Sequence, residues 1–189
     1  MAGPLRRRGA GYHPRMTDLR YPVGKLTYDS DITDGKRTAW IRQIAETPAA
    51  LRAAVDGLTE AQLDTPYRPE GWTVRQVVHH VPDSHMNAYV RFKWTLTEAN
   101  PTIKPYDEAA WANLADTRLT PIHTSLDLLT ALHRRLVVLL ESMKPGDFAR
   151  PLVHPDNGPM TTDRLLQVYA WHGRHHVAHI TALRGREKF

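Results

Sequence analysis

Cysteine is absent from this chain of 189 residues, and long apolar runs are absent as well. Without cysteine the chain can form no disulfide, no thiolate metal site, no iron–sulfur cluster and no cysteine nucleophile. No stretch approaches the roughly 18 consecutive apolar residues that a membrane-spanning helix needs. Aromatic residues make up only 8%, but hydrophobic residues reach 41% and charged residues 24%, a balance that is typical of globular domains.

An excess of charge of one sign is nearly confined to the N-terminus. The formal net charge is +5, from 25 basic and 20 acidic residues. Four of the basic residues lie in the first 15 positions: Arg6, Arg7, Arg8 and Arg15. That segment contains no acid, so the remainder carries only +1. A nucleic-acid-binding protein needs basic residues clustered on a folded face, so we expect no nucleic-acid partner.

The N-terminal segment is predicted to be a basic, flexible and dispensable leader over residues 1–18, with Met16 as an alternative start. It lacks the apolar core of a secretory signal. Because no membrane span is predicted either, we expect a cytoplasmic protein. Residues 19–189 are predicted to form a single domain.

Four long segments show the three- and four-residue spacing of apolar residues that is typical of amphipathic helices. They cover about 36–55, 73–98, 120–143 and 161–184. Capping boxes that begin at Thr59 and Thr73 predict the starts of a short helix and of the second long helix. Four such helices with long connections predict an all-α fold, a four-helix bundle.

Prolines and glycines mark the predicted interruptions. Pro48 and Pro82 lie inside helical patterns, and each is expected to bend or interrupt its helix because it removes a backbone donor. Pro121 is expected at the first position of the third helix, and Gly185 is expected to end the fourth. Residues 145–160 hold four prolines and two glycines and are predicted to be loop.

Histidine stands out by its distribution. Seven of the 11 histidines fall on the second and fourth predicted helices: His79, His80, His85, His172, His175, His176 and His179. On the fourth helix three of these take positions, in steps of four and three residues, where leucines would otherwise pack: His172, His176 and His179. Helical bundles bind metals and ligands in their cores through side chains of facing helices.

His172 and His176 lie on one helix face, four residues apart, where two imidazoles can bind one metal ion. The HExxH zinc helix uses the same spacing, but this chain reads HGRHH and lacks the glutamate, which argues against that protease mechanism. A third ligand is expected from the second helix, and periodicity leaves His79, His80 and His85 open. Three imidazoles with an open fourth position are typical of catalytic zinc. The alternative is a hydrogen-bonded histidine cluster.

Several of these segments resemble the DinB superfamily, and most of all its YfiT-type branch of metal-dependent hydrolases. The motifs are PYRPEGWTVRQVVHH at 66–80, DSHMN at 83–87, YVRFK at 89–93, PTIKPY at 101–106 and AWHGRHHVAHI at 170–180. The resemblance covers nearly everything from Leu19 to the C-terminus. It implies a DinB-type four-helix bundle, a homodimer and one divalent metal ion per chain, zinc or nickel.

The resemblance also implies the ligands, position by position: His80, His172 and His176. It passes over His85. At Pro82 the chain departs from the pattern, since relatives commonly have a small residue there.

A metal held by three histidines can lower the pKa of bound water to about 7 and polarise a carbonyl. We therefore expect a metal-dependent hydrolase that acts on a small-molecule substrate. The superfamily implies an alternative, an S-transferase that uses a low-molecular-weight thiol such as bacillithiol or mycothiol. A third alternative is a metal-binding stress or scaffold protein without turnover, which a closed fourth ligand such as His85 or His179 would favour.

Two residues are candidates for catalytic roles, Asp83 and His179. Asp83 lies three residues after His80 and would orient an imidazole or act as a base; the alternative is an ordinary surface or packing carboxylate. His179 lies one turn beyond His176 and would act as a proton shuttle or support a ligand; the alternative is a buried histidine bonded to the backbone.

Other candidates would bind the substrate. Arg91 would meet an anionic group, and the alternative is a solvated or ion-paired arginine. Four aromatic residues are candidates for pocket lining, with core packing as the alternative: Trp72, Tyr89, Trp94 and Trp171.

Overall fold

The computed structural model describes residues 18–189, so nearly all of the predicted leader lies outside the described residues. Four long helices dominate the described chain: α1 (Asp34–Val55), α3 (Val74–Thr97), α6 (Ile122–Glu141) and α8 (Thr162–Glu187). Shorter elements join them: α2 (Glu60–Leu63), α4 (Glu108–Trp111), α5 (Ala115–Leu119), α7 (Pro145–Phe148), β1 (Pro151–His154) and β2 (Gly158–Thr161). The predicted all-α four-helix bundle is confirmed.

The long helices pack in an order that differs from their order in the chain. Helix α1 packs mainly against α6 and α8, and α3 packs against the same two helices. Helices α1 and α3 are therefore diagonal to each other, which accounts for the long connection between these two helices. No helix of the described chain has the length and apolar character needed to cross a membrane.

Both predicted capping boxes are present. At the start of α3 the Thr73 hydroxyl accepts from the Gln76 amide at 3.1 Å, and the Gln76 side chain accepts from the Thr73 amide at 2.9 Å. Thr59 and Gln62 cap α2 in the same way. Each box satisfies amide groups that have no partner in the first helical turn, and the box at Thr73 fixes the start of α3, the helix that carries His80.

The prolines and glycines of segment 145–160 predicted a loop, and this prediction is wrong for most of the segment. It holds the short helix α7 and most of a two-stranded hairpin of β1 and β2. Leu152 and Met160 are paired across the hairpin, and both are buried. Gly158 has φ +74° at the turn, a conformation that glycine adopts without strain. Burial of this apolar pair against the bundle favours the hairpin over an open loop.

Neither Pro48 nor Pro82 interrupts its helix, since α1 and α3 run unbroken through them. The bend expected at these prolines stays a prediction. Pro121 is the N-cap of α6 and not its first helical residue. A proline at any of these places withholds one backbone donor, but packing of the surrounding turns outweighs that loss.

The C-terminal end of α8 also differs from the prediction. The helix continues through Gly185 to Glu187, and Lys188 takes the left-handed conformation that ends it. Contacts with α1 explain the extension, because Arg184 donates hydrogen bonds to the carbonyls of Ala54 and Asp56, each at 2.9 Å. These tertiary contacts hold the last turn beyond the glycine.

The buried apolar residues form two clusters, one toward each end of the bundle. On α3 the first cluster includes Ala88 and the second includes Val81; on α8 they include Ala170 and Ile180. Between the clusters lie four histidines, which we call the histidine layer: His85, His133, His172 and His176. Three of them are buried, and His172 is half-buried. A polar layer thus separates two apolar clusters in the middle of the bundle.

Candidate metal centre

Three histidines from α3 and α8 converge at one edge of the histidine layer. His80, His172 and His176 each offer a ring nitrogen, and these three atoms lie within 4.8 Å of one another. The Nε2 atoms of His80 and His172 are 3.2 Å apart. The i, i+4 spacing on α8 places the second and third imidazoles on one face, and α3 supplies the first.

The other two candidates on α3 point elsewhere. His79 faces α6, where its Nδ1 lies 2.7 Å from the Ser125 hydroxyl. His85 is fully buried and lies on the opposite side of the His172 ring, with its Nε2 3.1 Å from Nδ1 of His172. The structure therefore brings His80, and neither His79 nor His85, into the three-histidine group.

Burial keeps this group uncharged. Desolvation lowers the pKa of His80 to about 4, with a further contribution from His179. Desolvation, together with the neighbouring imidazoles, lowers the pKa of His172 and His176 well below the ordinary value. At neutral pH all three imidazoles are neutral, and their lone pairs are available to a metal.

A second group shares one residue with the first. His175, His176 and His179 also have ring nitrogens within 4.8 Å of one another. The Nε2–H of His179 donates to the carbonyl of Arg20 at 3.1 Å, and its ring stacks on Tyr67 with 3.9 Å between centroids. Burial lowers the pKa of His179 as well. His179 thus has the backbone bond that the alternative interpretation foresaw, and its Nδ1 has no partner among the described residues.

The residues of the first group fit a metal ion. The donors are three neutral imidazoles, which suit zinc, nickel and copper better than they suit magnesium or calcium. The buried Nδ1 of His176 has no hydrogen-bond partner among the described residues, so this imidazole is not accounted for by a hydrogen-bonded cluster alone.

A cleft of about 530 Å³ opens onto the group, and the residues that line it include His80, His172 and His176. Trp72 lies beside His80 with 4.7 Å between ring centroids, and Trp171 stacks on His175 at 4.2 Å. Tyr21, Tyr67 and Arg68 complete much of the wall. Two of the four predicted aromatic residues therefore line the cleft. The other two do not, since Tyr89 packs on the core and Trp94 is 36% exposed.

Asp83 is half-buried, and desolvation, followed by the charge of Asp116, raises its pKa to about 6. In the described chain no hydrogen bond or ion pair joins the Asp83 carboxylate to an imidazole. The geometry therefore offers no support for the expectation that Asp83 orients a ligand. Its pKa suits a group that exchanges a proton near neutral pH.

Arg91 is buried, and it forms no ion pair with any residue that the structure describes. It is 7% exposed, and its guanidinium donates to the Tyr169 hydroxyl at 2.9 Å and to the Lys104 carbonyl at 3.0 Å. It is not among the residues that line the cleft. These contacts join α3 to α8 and to the connection between α3 and α4, where Lys104 lies. They indicate a structural role for Arg91.

The sequence does not single out the cleft residues Tyr21, Tyr67 and Arg68, nor His133 on α6. His133 is the more informative case. It is buried, its Nδ1 lies 2.7 Å from the Ile44 carbonyl, and its Nε2 lies 2.9 Å from Nδ1 of His85. A signal was present in the spacing, because His133 follows Leu129 by four residues and precedes Leu136 by three. It therefore holds a core position of the helix, like His172.

Fold and site together define a four-helix bundle with a histidine-rich candidate metal centre in its core. The model of the DinB superfamily matches residues 43–180. The chain therefore belongs to the DinB superfamily, and the resemblance seen in its motifs is confirmed.

Known proteins agree with this assignment. A protein of Bacillus mycoides named "Putative metal-dependent hydrolase" is 53% identical over 171 residues, which cover 90% of this chain and 98% of that protein. A Bacillus cereus protein with the same name is 54% identical over the same lengths. YfiT from Bacillus subtilis, described as "a probable metal-dependent hydrolase with an unusual four-helix bundle topology", superposes with a TM-score of 0.88 at 46% identity. That match covers 90% of this chain and 98% of YfiT.

Proposed function

We propose that this protein is a metal-dependent hydrolase in which His80, His172 and His176 hold one divalent metal ion. The observation that carries the proposal is the convergence of three neutral imidazoles within 4.8 Å at a cleft. A divalent ion supplies Lewis acidity, which acidifies water and polarises a carbonyl. The names of the relatives agree with this activity.

An open position at the centre supports turnover over a purely structural role. His85 is not free to be a fourth ligand, because both its ring nitrogens bond to other imidazoles, at 2.9 and 3.1 Å. His179 bonds to the Arg20 carbonyl through Nε2 and belongs to the second histidine group, not to the group of His80, His172 and His176. Catalytic sites keep three protein ligands and one open position, whereas structural sites are closed by a fourth.

The cleft supports a small substrate with an apolar or planar part. Trp72, Trp171 and Tyr67 supply flat apolar surface. Within residues 18–189, the Arg68 guanidinium donates only to neutral oxygens, those of the Tyr67 hydroxyl and the Pro69 carbonyl. It is therefore placed to attract a carboxylate or another anionic group of the substrate. Asp83 is the proposed proton acceptor. It lies behind the residues that line the cleft, three positions after His80 on α3, and burial raises its pKa to about 6, which leaves it ionised at neutral pH.

The test is a screen for turnover that compares the metal-loaded protein with the metal-stripped protein. Small esters and amides are assayed, each with and without an added low-molecular-weight thiol, and an electrophile is included in the thiol arm. We expect hydrolysis by the loaded form alone, with no need for thiol. Turnover that requires the thiol would replace the hydrolase with the S-transferase. Bound metal without turnover in any arm would favour the non-enzymatic alternative.

A matched control separates the metal from general damage to the protein. His123 lies on α6 and is exposed, so His123→Ala should keep both metal and turnover, whereas His176→Ala should lose both. Zinc or nickel as the ion, the homodimer and the cytoplasmic location stay predictions from the sequence.

A further inference from the structure

A chain of three hydrogen-bonded imidazoles crosses the whole bundle. Nδ1 of His172 lies 3.1 Å from Nε2 of His85, and Nδ1 of His85 lies 2.9 Å from Nε2 of His133. Nδ1 of His133 lies 2.7 Å from the carbonyl oxygen of Ile44. These four residues belong to α8, α3, α6 and α1, so every long helix contributes one group to the chain.

The direction of this chain is fixed at its far end. A carbonyl oxygen can only accept, so Nδ1 of His133 must carry the proton that bonds to Ile44. This carbonyl is available because its helical donor would be the amide of residue 48, which is Pro48 and has no N–H. The proline inside α1 thus frees the acceptor on which the chain ends.

Counting protons then determines the state of His172. A neutral imidazole carries one N–H, so three neutral imidazoles have three protons for the three hydrogen bonds of the chain. Because His133 donates through Nδ1, its Nε2 accepts from His85, and His85 in turn accepts from Nδ1 of His172. No proton is left for Nε2 of His172. Full burial of His85 supports the neutral count, since a charged imidazole there would be costly.

Contacts on the other side of the His172 ring agree with this assignment. Its Nε2 lies 3.2 Å from Nε2 of His80 and 3.3 Å from the hydroxyl of Ser84. Both groups can donate, and an unprotonated Nε2 can accept from them. The same Nε2 faces the proposed metal position.

We propose that His85 and His133 are positioning residues that hold His172 in the Nδ1–H tautomer and so present its Nε2 lone pair to the metal. This inference rests on the proposed metal centre. Metal-ligating histidines commonly donate their second ring nitrogen to a carboxylate or a carbonyl, which fixes tautomer and orientation. Here the carbonyl of Ile44 serves that purpose from two imidazoles away.

Three variants, two on α6 and one on α3, and a control test the proposal. His133→Phe keeps a flat ring but removes both hydrogen bonds, so His85 can take either tautomer and His172 can follow it. His133→Gln retains a donor for Ile44 and an acceptor for His85, and it should rescue much of the loss. His85→Phe removes the acceptor of His172 directly. His123→Phe, at an exposed position of the same helix, is the matched control.

Two measurements read the outcome. In the metal-stripped protein, nitrogen-15 shifts of the imidazoles, with His172 assigned through His172→Ala, should show one tautomer in wild type, His123→Phe and His133→Gln. His133→Phe should show a mixture. Zinc affinity from competition with a chelator should fall about 10- to 100-fold in His133→Phe and His85→Phe. Thermal unfolding of each variant verifies that it is folded.

The results separate this inference from the proposed function. A wild-type His172 protonated at Nε2 overturns the inference, and so does a His133→Phe protein that folds, keeps a single tautomer and binds zinc as wild type does. A wild-type protein with the expected tautomer that binds no zinc overturns the metal centre itself. Loss of the single tautomer and of affinity together, with rescue by His133→Gln, supports the inference.

Discussion

Gly173 on α8 packs directly against Thr47 on α1. A Cβ atom on Gly173 would lie 2.7 Å from Cγ2 and 3.1 Å from Cβ of Thr47, closer than such atoms pack. The Thr47 hydroxyl donates to the Gln43 carbonyl at 2.9 Å, which limits its freedom to turn away. Because Gly173 follows His172, this close approach of two helices also sets the position of a proposed metal ligand.

We expect Gly173→Ala to destabilise the protein by about 1–3 kcal/mol, as overpacking of a core does. The gain in helix propensity, up to about 1 kcal/mol, offsets only part of this loss. Gly185→Ala is the control, since a Cβ there meets no atom of the described residues within 4 Å. It should stabilise α8 by about 0.5–1 kcal/mol. Urea unfolding measures both, and equal stability of the two variants would contradict the packing argument.

We expect His80→Ala, His172→Ala and His176→Ala each to reduce the bound metal from one ion per chain toward none. A missing ligand leaves two imidazoles, which hold a divalent ion weakly. His175→Ala and His179→Ala should keep the metal, because they belong only to the second histidine group. Elemental analysis after desalting gives the stoichiometry. Metal retained in His80→Ala but lost in His179→Ala would move the site to that second group.

We expect the metal-stripped protein to lose stability as the pH falls from about 6.5 to about 4. The pKa of buried His133 is about 4, below the ordinary value of 6.5, so between these values the unfolded chain binds the proton and the folded chain does not. One such histidine contributes on the order of 3 kcal/mol, which is fully present above pH 6.5.

The His133→Gln variant isolates this contribution. It removes one titrating group, and the free energy of unfolding, measured in urea at several pH values, should depend less steeply on pH than in wild type. An unfolding free energy that is the same at pH 6.5 and pH 4.5 in the wild type would refute the prediction.

We expect turnover to rise with pH through about 6 if the ionised carboxylate of Asp83 accepts a proton. Asp83→Asn should lower kcat by about 10²-fold or more while metal content is unchanged, since no hydrogen bond joins this carboxylate to an imidazole in the described chain. Asp116→Asn removes the charge that helps to raise the Asp83 pKa. Asp116→Asn should keep turnover, and the pH at which turnover begins to fall on the acid side should be lower than in wild type. Full activity in Asp83→Asn would eliminate Asp83 as the base.

The limits of sequence reasoning are visible in particular residues. The capping boxes at Thr59 and Thr73 were predictable because the residues that satisfy the first amides of a helix lie three positions apart in the chain. The end of α8 was not predictable, because contacts of Arg184 with α1 carry the helix past Gly185. The hairpin in segment 145–160 was not predictable either, because it depends on the burial of Leu152 and Met160.

By itself, the sequence determined the four amphipathic helices, the pair His172 and His176 on one face, and the family. The helices and the pair follow from local periodicity, since residues four apart in a helix always share a face, whereas the family follows from motifs that resemble those of the DinB superfamily. Periodicity left open which histidine of α3 joins the pair, because His79, His80 and His85 all lie near the same apolar stripe. The resemblance to the family implied His80, and the tertiary structure brings His80 to the pair. Only the tertiary structure revealed that His133 belongs to the histidine layer, because its hydrogen-bond partners lie 48 and 89 residues away in the chain. Contacts over such separations depend on how the helices pack, which periodicity within one helix does not encode.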